Sequence, residues 1–323
     1  MKDFAGWMPI RVHWRESGLT VDWGYFGDIR FTDPFFDHTV NRCLRHPAHL
    51  LFRRETPMTA LAELAEISPG LPPRGFIFHG SRCGSTLVTQ MLAALPENVV
   101  ISEAGPIDTV LRARLRDPRI TEEHSVLWLR GMLNALGQRR RPEEKSVFVK
   151  FDSWHACLLP LIQRAYPSVP WIFLYRDPVQ VLMSQTRHMG AQMIPNALEP
   201  ALFGWSAEEV SRMSLGEYGG RVLAAIGEAA LSHVKMGKGR LVNYKELPGV
   251  VWPSLIRHWG MDCPDQIPEA VARVSQFNAK NSKMLFVDDS EAKTRGAPEG
   301  MRQFSKVWLD GIYQQLETQR LSQ

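Results

Sequence analysis

From residue 74 onward the chain alternates between two kinds of apolar patterning. Short, mainly apolar runs stand at GFIFH (75–79), 99–101, 147–151, Trp171–Tyr175 and 240–243. Each has the length of a strand, and a strand buried on both faces carries no polar alternation. Between the runs, apolar residues recur at helical spacing. They are Leu87, Val88, Met91, Leu92 and Leu95 after the first, and Leu111, Leu115, Trp128 and Leu136 in a basic stretch after the second. The segment 156–165, a segment opening at Pro178, and 255–259 continue the rhythm. Strands alternating with helices predict an α/β fold in which a parallel sheet is flanked by helices.

The rhythm starts after PGLPPR at 69–74, which must be extended or turning. This predicts an N-terminal extension over 1–72, packed on a main domain over 73–323. The extension is rich in aromatics: Trp7, Trp14, Trp23, Tyr25, Phe26, Phe31, Phe35 and Phe36. Gly and Asp interrupt them in the manner of short strands and turns, with a helical pattern at 61–67, and they read as core or docking surface. A second break, at 189–215, is rich in Met, Ala and Pro, including the Met-rich stretch HMGAQMIP from His188, and suits a substrate lid.

Composition narrows the class of partner. With 44% hydrophobic residues in 323, the chain can build a sizeable core, and disorder is excluded. A net charge of +4 is too mild for a nucleic-acid surface and fits an anionic small ligand. The four cysteines, Cys43, Cys83, Cys157 and Cys263, form no close pair, so neither a zinc site nor a disulfide framework is expected. Charges break the apolar residues of MKDFAGWMPIRVHWRE, and no segment approaches the roughly 20 apolar residues of a membrane span. The expectation is a soluble, cytoplasmic protein with no membrane or nucleic-acid partner.

Two segments carry chemistry. The first is G-S-R-C-G-S-T at 80–86, between a predicted strand and a predicted helix, where backbone N–H groups of a loop and a helix start converge on an anion. Ser85 and Thr86 add hydroxyl donors, and Arg82 adds a permanently charged planar fork. A Walker A loop needs G-x-x-x-x-G-K-[ST]; here the glycines are one residue closer and Ser85 stands where the lysine should be. The second segment is WIFLYRDPVQVLMSQ at 171–185, which places Arg176 at the carboxyl end of a strand and Pro178 in the first turn of a helix. Ligands of open α/β sheets bind at that edge. Ser184, two turns into the helix, is expected to have a free hydroxyl that completes a phosphate clamp with Arg176.

These two motifs, in this order, resemble the 5′-phosphosulfate loop and the 3′-phosphate strand and helix of sulfotransferases that use 3′-phosphoadenosine 5′-phosphosulfate (PAPS). The resemblance covers about 74–260, and LVNYKEL at 241–247 is similar to a later strand end of the family, with Lys245 a departure. It implies a P-loop-like sulfotransferase fold and transfer of a sulfuryl group from PAPS, with 3′-phosphoadenosine 5′-phosphate (PAP) as product. Arg82, Cys83, Gly84, Ser85 and Thr86 would line the phosphosulfate. Arg176 and Ser184 would hold the 3′-phosphate, with Tyr244 nearby. Lys283, Lys293 and Arg295 lie where a basic C-terminal loop completes that site in the family, but the family's glycine-rich pattern is absent.

The chemistry asks for positioning and electrostatics, and the lower charge of a sulfuryl group removes the demand for a metal. No cluster of metal-ligand spacing is evident in the sequence. A hydroxyl acceptor needs a base. Glu103 is the leading candidate because it emerges from the 99–101 strand at the same edge, and its place relative to Arg82 is closer to the tyrosylprotein-type enzymes than to the cytosolic ones. Asp152 is its rival, two residues after Lys150, where cytosolic members place a catalytic His that is absent here. His155 reads as a helix-start or core histidine. Lys150, ending an apolar strand, would be satisfied by a sulfonate or by Glu103. Cys83 reads as a small residue that fits, although its neighbours could lower its thiol pKa. The expected acceptor is a small molecule offering a hydroxyl or amine. A nucleotide-dependent kinase with a degenerate loop, or a non-catalytic PAP-binding regulator, are the other readings.

Overall fold

The computed structural model of the chain describes residues 4–187 and 189–323; His188, at the head of the Met-rich stretch, lies outside them. The N-terminal segment forms an antiparallel sheet from β1 (Trp7–Arg15), β2 (Gly18–Tyr25) and β3 (Arg54–Pro57), in that order. The main sheet holds β4 (Pro73–His79), β5 (Asn98–Ser102), β6 (Ser146–Lys150), β7 (Trp171–Tyr175) and β8 (Gly239–Asn243). Its spatial order is β5-β6-β4-β7-β8, and every pairing is parallel. The protein is thus an α/β fold with a central parallel sheet flanked by helices.

Period-2 alternation assigns each strand residue to one of two cores. Ile77, Val100, Phe148, Ile172, Leu174 and Val242 face the helix Ser85–Ala93 and the turn around Trp259. Phe76, Phe78, Val149, Phe173 and Leu241 face the opposite layer, which includes Ile162, Val222 and Ile226. Both faces are covered, which is why the runs showed no polar alternation. The chain leaves central β4 toward β5 and later crosses to β7 on the other side. This puts a topological switch point, and the loops after all five strands, at the carboxyl edge of the sheet.

The extension shares its core with this layer: Val21, Trp23, Phe26 and Phe36 lie in one buried cluster with Ile107, Val110 and Leu133. Arg30 staples it to the main sheet's helix layer, donating to the carbonyls of Ala93 (2.7 Å) and Leu95 (2.9 Å). Trp23, Phe26, Phe31 and Phe36 are buried, Trp14 and Tyr25 are exposed, and Phe35 goes elsewhere, as described below.

Several elements differ from the sequence reading. The basic stretch after β5 divides into helices Gly105–Arg116 and Glu122–Leu136, because Thr121 caps the second with its hydroxyl accepting from the His124 amide. The segment at 156–165 opens as a 3-10 turn, Ser153–Leu158, before the helix Leu159–Ala165. Only Ile256–His258 is α-helical at 255–259. Within 189–215 the chain forms turns Ala191–Met193 and Pro200–Phe203 and a helix Ala207–Arg212. Glu199 is gripped there by Arg112 (2.5 Å) and Arg116, which docks this part on Gly105–Arg116. A hairpin of β9 (Phe277–Asn278) and β10 (Asn281–Leu285) precedes helices Ser290–Gly296, Glu299–Trp308 and Asp310–Leu321. Among the described residues no helix is long and apolar enough to cross a membrane.

Because extension and main layer share one core, Trp23→Ala should lower the stability of the whole chain by about 3–5 kcal/mol. Urea unfolding followed by fluorescence and by circular dichroism should show one shifted transition; an early transition confined to the extension would disprove a shared cooperative unit.

Candidate active site

The loop after β4 is built around left-handed backbone. Ser81 (φ 67°), Arg82 (φ 53°) and Gly84 (φ 85°) all have positive φ, which turns successive N–H groups toward one side. Only glycine suits the last position, since a Cβ there would meet Leu247 Cδ1 at 2.5 Å and Tyr244 Cδ2 at 2.9 Å. Ser85 and Thr86, both buried, open the helix Ser85–Ala93 and present its amide end to the same space. Gln185 latches the loop from the helix Pro178–Arg187, donating to Ser81 Oγ (3.0 Å), a tie that no sequence motif announced. Cys83 is buried and donates to the Leu174 carbonyl (3.1 Å); burial pushes its thiol up to about 12, so the lowered pKa weighed from its neighbours is absent.

Glu103 leaves β5 with φ 53°, its amide donating to the Lys150 carbonyl (2.8 Å). Its Oε1 lies 2.6 Å from Lys150 Nζ and 3.2 Å from His79 Nε2. His79 Nδ1 accepts from the Ser81 amide (3.2 Å), so Nε2 carries the proton and donates to Glu103, and burial lowers the imidazole pKa and favours this neutral form. Lys150, 1% exposed, also donates to Thr86 Oγ1 (3.2 Å). Burial alone would raise the Glu103 carboxyl, but Lys150 and His79 outweigh it and hold it well below the usual carboxylate range. His79 was overlooked in the sequence; a polar residue closing an apolar strand at the ligand edge was the available signal.

Asp152 differs from Glu103 in environment. Burial, and repulsion from Glu103 and Asp108, push its carboxyl well above the usual range. Its nearest cationic candidate, His155 Nδ1, is 3.8 Å away. His155 itself accepts from the Asp152 amide (3.2 Å) and donates to Asp108 Oδ1 (2.9 Å), the core role expected of it. Asp108, Asp152 and His155 thus converge, a grouping of metal-ligand type that their spacing did not reveal. Arg112 (2.6 Å) and Trp154 Nε1 (2.8 Å) bind Asp108 as well, so its oxygens are already engaged by protein donors.

A second set of cations surrounds Arg176 at the end of β7. Its Nε donates to Gln180 Oε1 (2.7 Å), its Nη2 to Ser290 Oγ (2.9 Å), and its guanidinium stacks 3.8 Å from the centre of the Tyr244 ring. Asp289 stands 3.4 Å from Arg176 and 2.8 Å from Lys293, an internal carboxylate between two cations. Ser184 corrects the sequence reading: its hydroxyl is not free but donates back to the Gln180 carbonyl (3.0 Å), as helical serines do. Of Lys283, Lys293 and Arg295, only Lys293 lines the cleft; Arg295 pairs with Glu291 (3.6 Å) on the surface.

Arg82, Cys83, Gly84, Ser85, Thr86, Glu103, Lys150, Asp152, Arg176, Ser184 and Tyr244 all line one cleft of about 690 Å³. That volume suits a nucleotide-sized ligand. Phe35 and Trp154 give it aromatic walls, and Gln192 from the 189–215 segment lines it too. Phe35 corrects the assignment of the extension's aromatics to core or docking surface, since its ring lies 5.0 Å from Lys150 Nζ and 5.5 Å from Lys280 Nζ. A smaller apolar recess of about 50 Å³, between Phe173, Leu223 and Leu316, is too small for such a ligand.

With this geometry in view, residues 75–214 match the sequence model of the sulfotransferase family. Among solved structures, the chain is similar to a sulfotransferase from Alicyclobacillus acidocaldarius at 16% identity, covering 77% of this chain and 96% of that one with a TM-score of 0.46. It is also similar to the sulfotransferase domain from the curacin biosynthetic pathway, at 15% identity over 77% and 98% with a TM-score of 0.43. A third is the sulfotransferase domain from the Synechococcus PCC 7002 olefin synthase, at 17% over 77% and 95% with a TM-score of 0.43. No curated protein matches the chain.

The buried, carbonyl-bonded thiol of Cys83 should resist iodoacetamide at pH 8 in the native protein and react once urea unfolds the chain. Peptide mass mapping checks this, and native-state labelling of Cys83 as fast as a free thiol would contradict the packing described.

Proposed function

We propose that this chain acts as a sulfotransferase, as the match of residues 75–214 to that family's model supports, and that it moves a sulfuryl group from PAPS to a hydroxyl or amine of a small-molecule acceptor. The observation that carries this reading is the presence of two separate cation groups in one cleft. Arg82 and Lys150 line it together with the loop amides, and Arg176, stacked on Tyr244, lines it with Lys293. A nucleotide bearing anions on both its 5′ and 3′ sides matches two such groups of charge. The aromatic walls from Phe35 and Trp154 support an acceptor with apolar surface.

In this reading the acceptor oxygen forms a bond to sulfur as the bridging sulfur–oxygen bond breaks, and the electron pair leaves on the 5′-phosphate of PAP. Arg82, Lys150 and the loop amides stabilise that developing charge. The acceptor proton passes to a carboxylate. Glu103 was the leading base in the sequence, but its carboxylate is committed to Lys150 and His79 and has little affinity for a proton. Asp152, with its raised proton affinity and its place in the same cleft, is the better acceptor, and Glu103 serves to hold Lys150 in place.

Thermal unfolding tests the donor. PAP at about 100 times its dissociation constant adds roughly 2.7 kcal/mol and should raise the midpoint by several degrees, whereas ADP should not. Arg176→Ala should abolish the gain; stabilisation by ATP with magnesium instead would point to a kinase.

The two carboxylates are separated by a paired substitution. Asp152→Asn should cut turnover by about 10²–10⁴-fold, keep PAP binding and remove the rising limb of the pH–rate profile, which lies above the ordinary carboxylate range. Glu103→Gln should instead cost about 3 kcal/mol of stability by leaving Lys150 buried without its counterion. A stable Glu103→Gln protein that has lost only the rising limb would return the role of base to Glu103.

A further inference from the structure

Lys280 stands at the tip of the β9–β10 hairpin, and nothing in the reaction described above uses it. Its backbone is fixed: Asn278 Oδ1 accepts from the amides of Lys280 (3.0 Å) and Asn281 (3.2 Å), and the Phe286 amide closes the hairpin base on the Gln276 carbonyl (2.8 Å). The tip therefore delivers one ammonium into the cleft. There it meets Phe35, whose ring lies 5.5 Å from Lys280 Nζ and 5.0 Å from Lys150 Nζ, so one aromatic ring from the N-terminal extension serves two cations. Among the described residues no carboxylate lies within ion-pair distance of Lys280.

Lys150 and Lys280 come from separate segments and share the ring of Phe35, and the Glu103 carboxylate is committed to Lys150, so among the described residues the Lys280 ammonium meets no carboxylate at ion-pair distance. A phosphosulfate, with a negative charge on each half, supplies what is missing. We propose that Lys280 is a donor-contacting residue that binds the oxygens of the transferring sulfuryl group, with Phe35 positioning it alongside Lys150. The assignment rests on the PAPS reading and extends it to a residue outside both sequence motifs. It places Lys280 at the sulfuryl end because Lys280 shares its aromatic ring with Lys150, whereas Lys293 pairs with Asp289 beside Arg176.

The surroundings add a pH signature. Burial in the cleft, then repulsion from Arg82 and Lys150, pull the Lys280 ammonium down to about 8, against weaker attraction from Glu103. The protonated form binds the anion, so affinity gained through Lys280 is complete below that pH and lost as pH rises through it. Arginine at the same position would stay charged throughout.

The test compares two probes that differ by the sulfuryl group, PAPS and PAP, titrated calorimetrically without acceptor into wild type, Lys280→Met, Lys280→Arg and Phe35→Leu. Lys280→Met should weaken PAPS about tenfold, as expected for a lost charge-assisted contact, and leave PAP within about twofold. Wild-type affinity for PAPS should fall between pH 7.5 and 9, and Lys280→Arg should restore affinity and flatten that fall. Phe35→Leu should reduce the preference for PAPS over PAP. Equal weakening of both nucleotides by Lys280→Met, or no change in either, would overturn the assignment. If wild type binds neither nucleotide, the donor reading fails and this assignment with it.

Discussion

The ion pair between Lys150 and Glu103 is the constraint around which the site is arranged. An ammonium at the end of a strand buried along its whole length needs a counterion, and removing one partner of such a pair costs about 3–5 kcal/mol. The counterion must come from a neighbouring strand. The register of β5 on β6 sets Ser102 opposite Lys150, so the residue after Ser102 is the one that can turn back over the strand end. Glu103 does so only by taking a left-handed backbone, a conformation that costs of order 1–3 kcal/mol for a side-chain-bearing residue. The pair offsets that strain. Its two attachments then propagate: Lys150 reaches Thr86 in the first turn of the anion loop's helix, and Glu103 reaches His79, whose other nitrogen holds the amide of Ser81. One buried charge thus ties the ends of β4, β5 and β6 to the conformation of the loop between them.

Much of this was legible in the sequence, for an identifiable reason. Strands buried on both faces advertise themselves as apolar runs, and Gly84, Arg82 and Arg176 sit within contiguous motifs whose chemistry is local. The residues that escaped notice act across the fold. His79 is one polar residue at the end of an apolar run, and its meaning depends on the register of a strand not adjacent to it in sequence. Phe35 is one aromatic among ten in the extension, and nothing local separates it from Phe36, which is buried in the core. Ser184 was misjudged because a hydroxyl two turns into a helix finds its own carbonyl partner, a competition that spacing alone does not display. Lys280 lies on a hairpin that no periodicity announced.

The same logic separates the two carboxylates. They sit in one cleft, yet their proton affinities diverge because one has cations within bonding distance and the other faces like charge. A site in which both carboxylates were paired would hold its cations firmly and have no group ready to take a proton; a site in which neither was paired would strand Lys150. Dividing the roles satisfies both demands. Arg176 shows the complementary arrangement at the far end of the cleft, where Asp289, Ser290 and Gln180 occupy its donors in the protein itself. An anion arriving there exchanges one carboxylate partner for another negative group, so its binding gains less than bare charge would suggest. Asp289 also holds Lys293, so the same carboxylate sets the positions of both cations there.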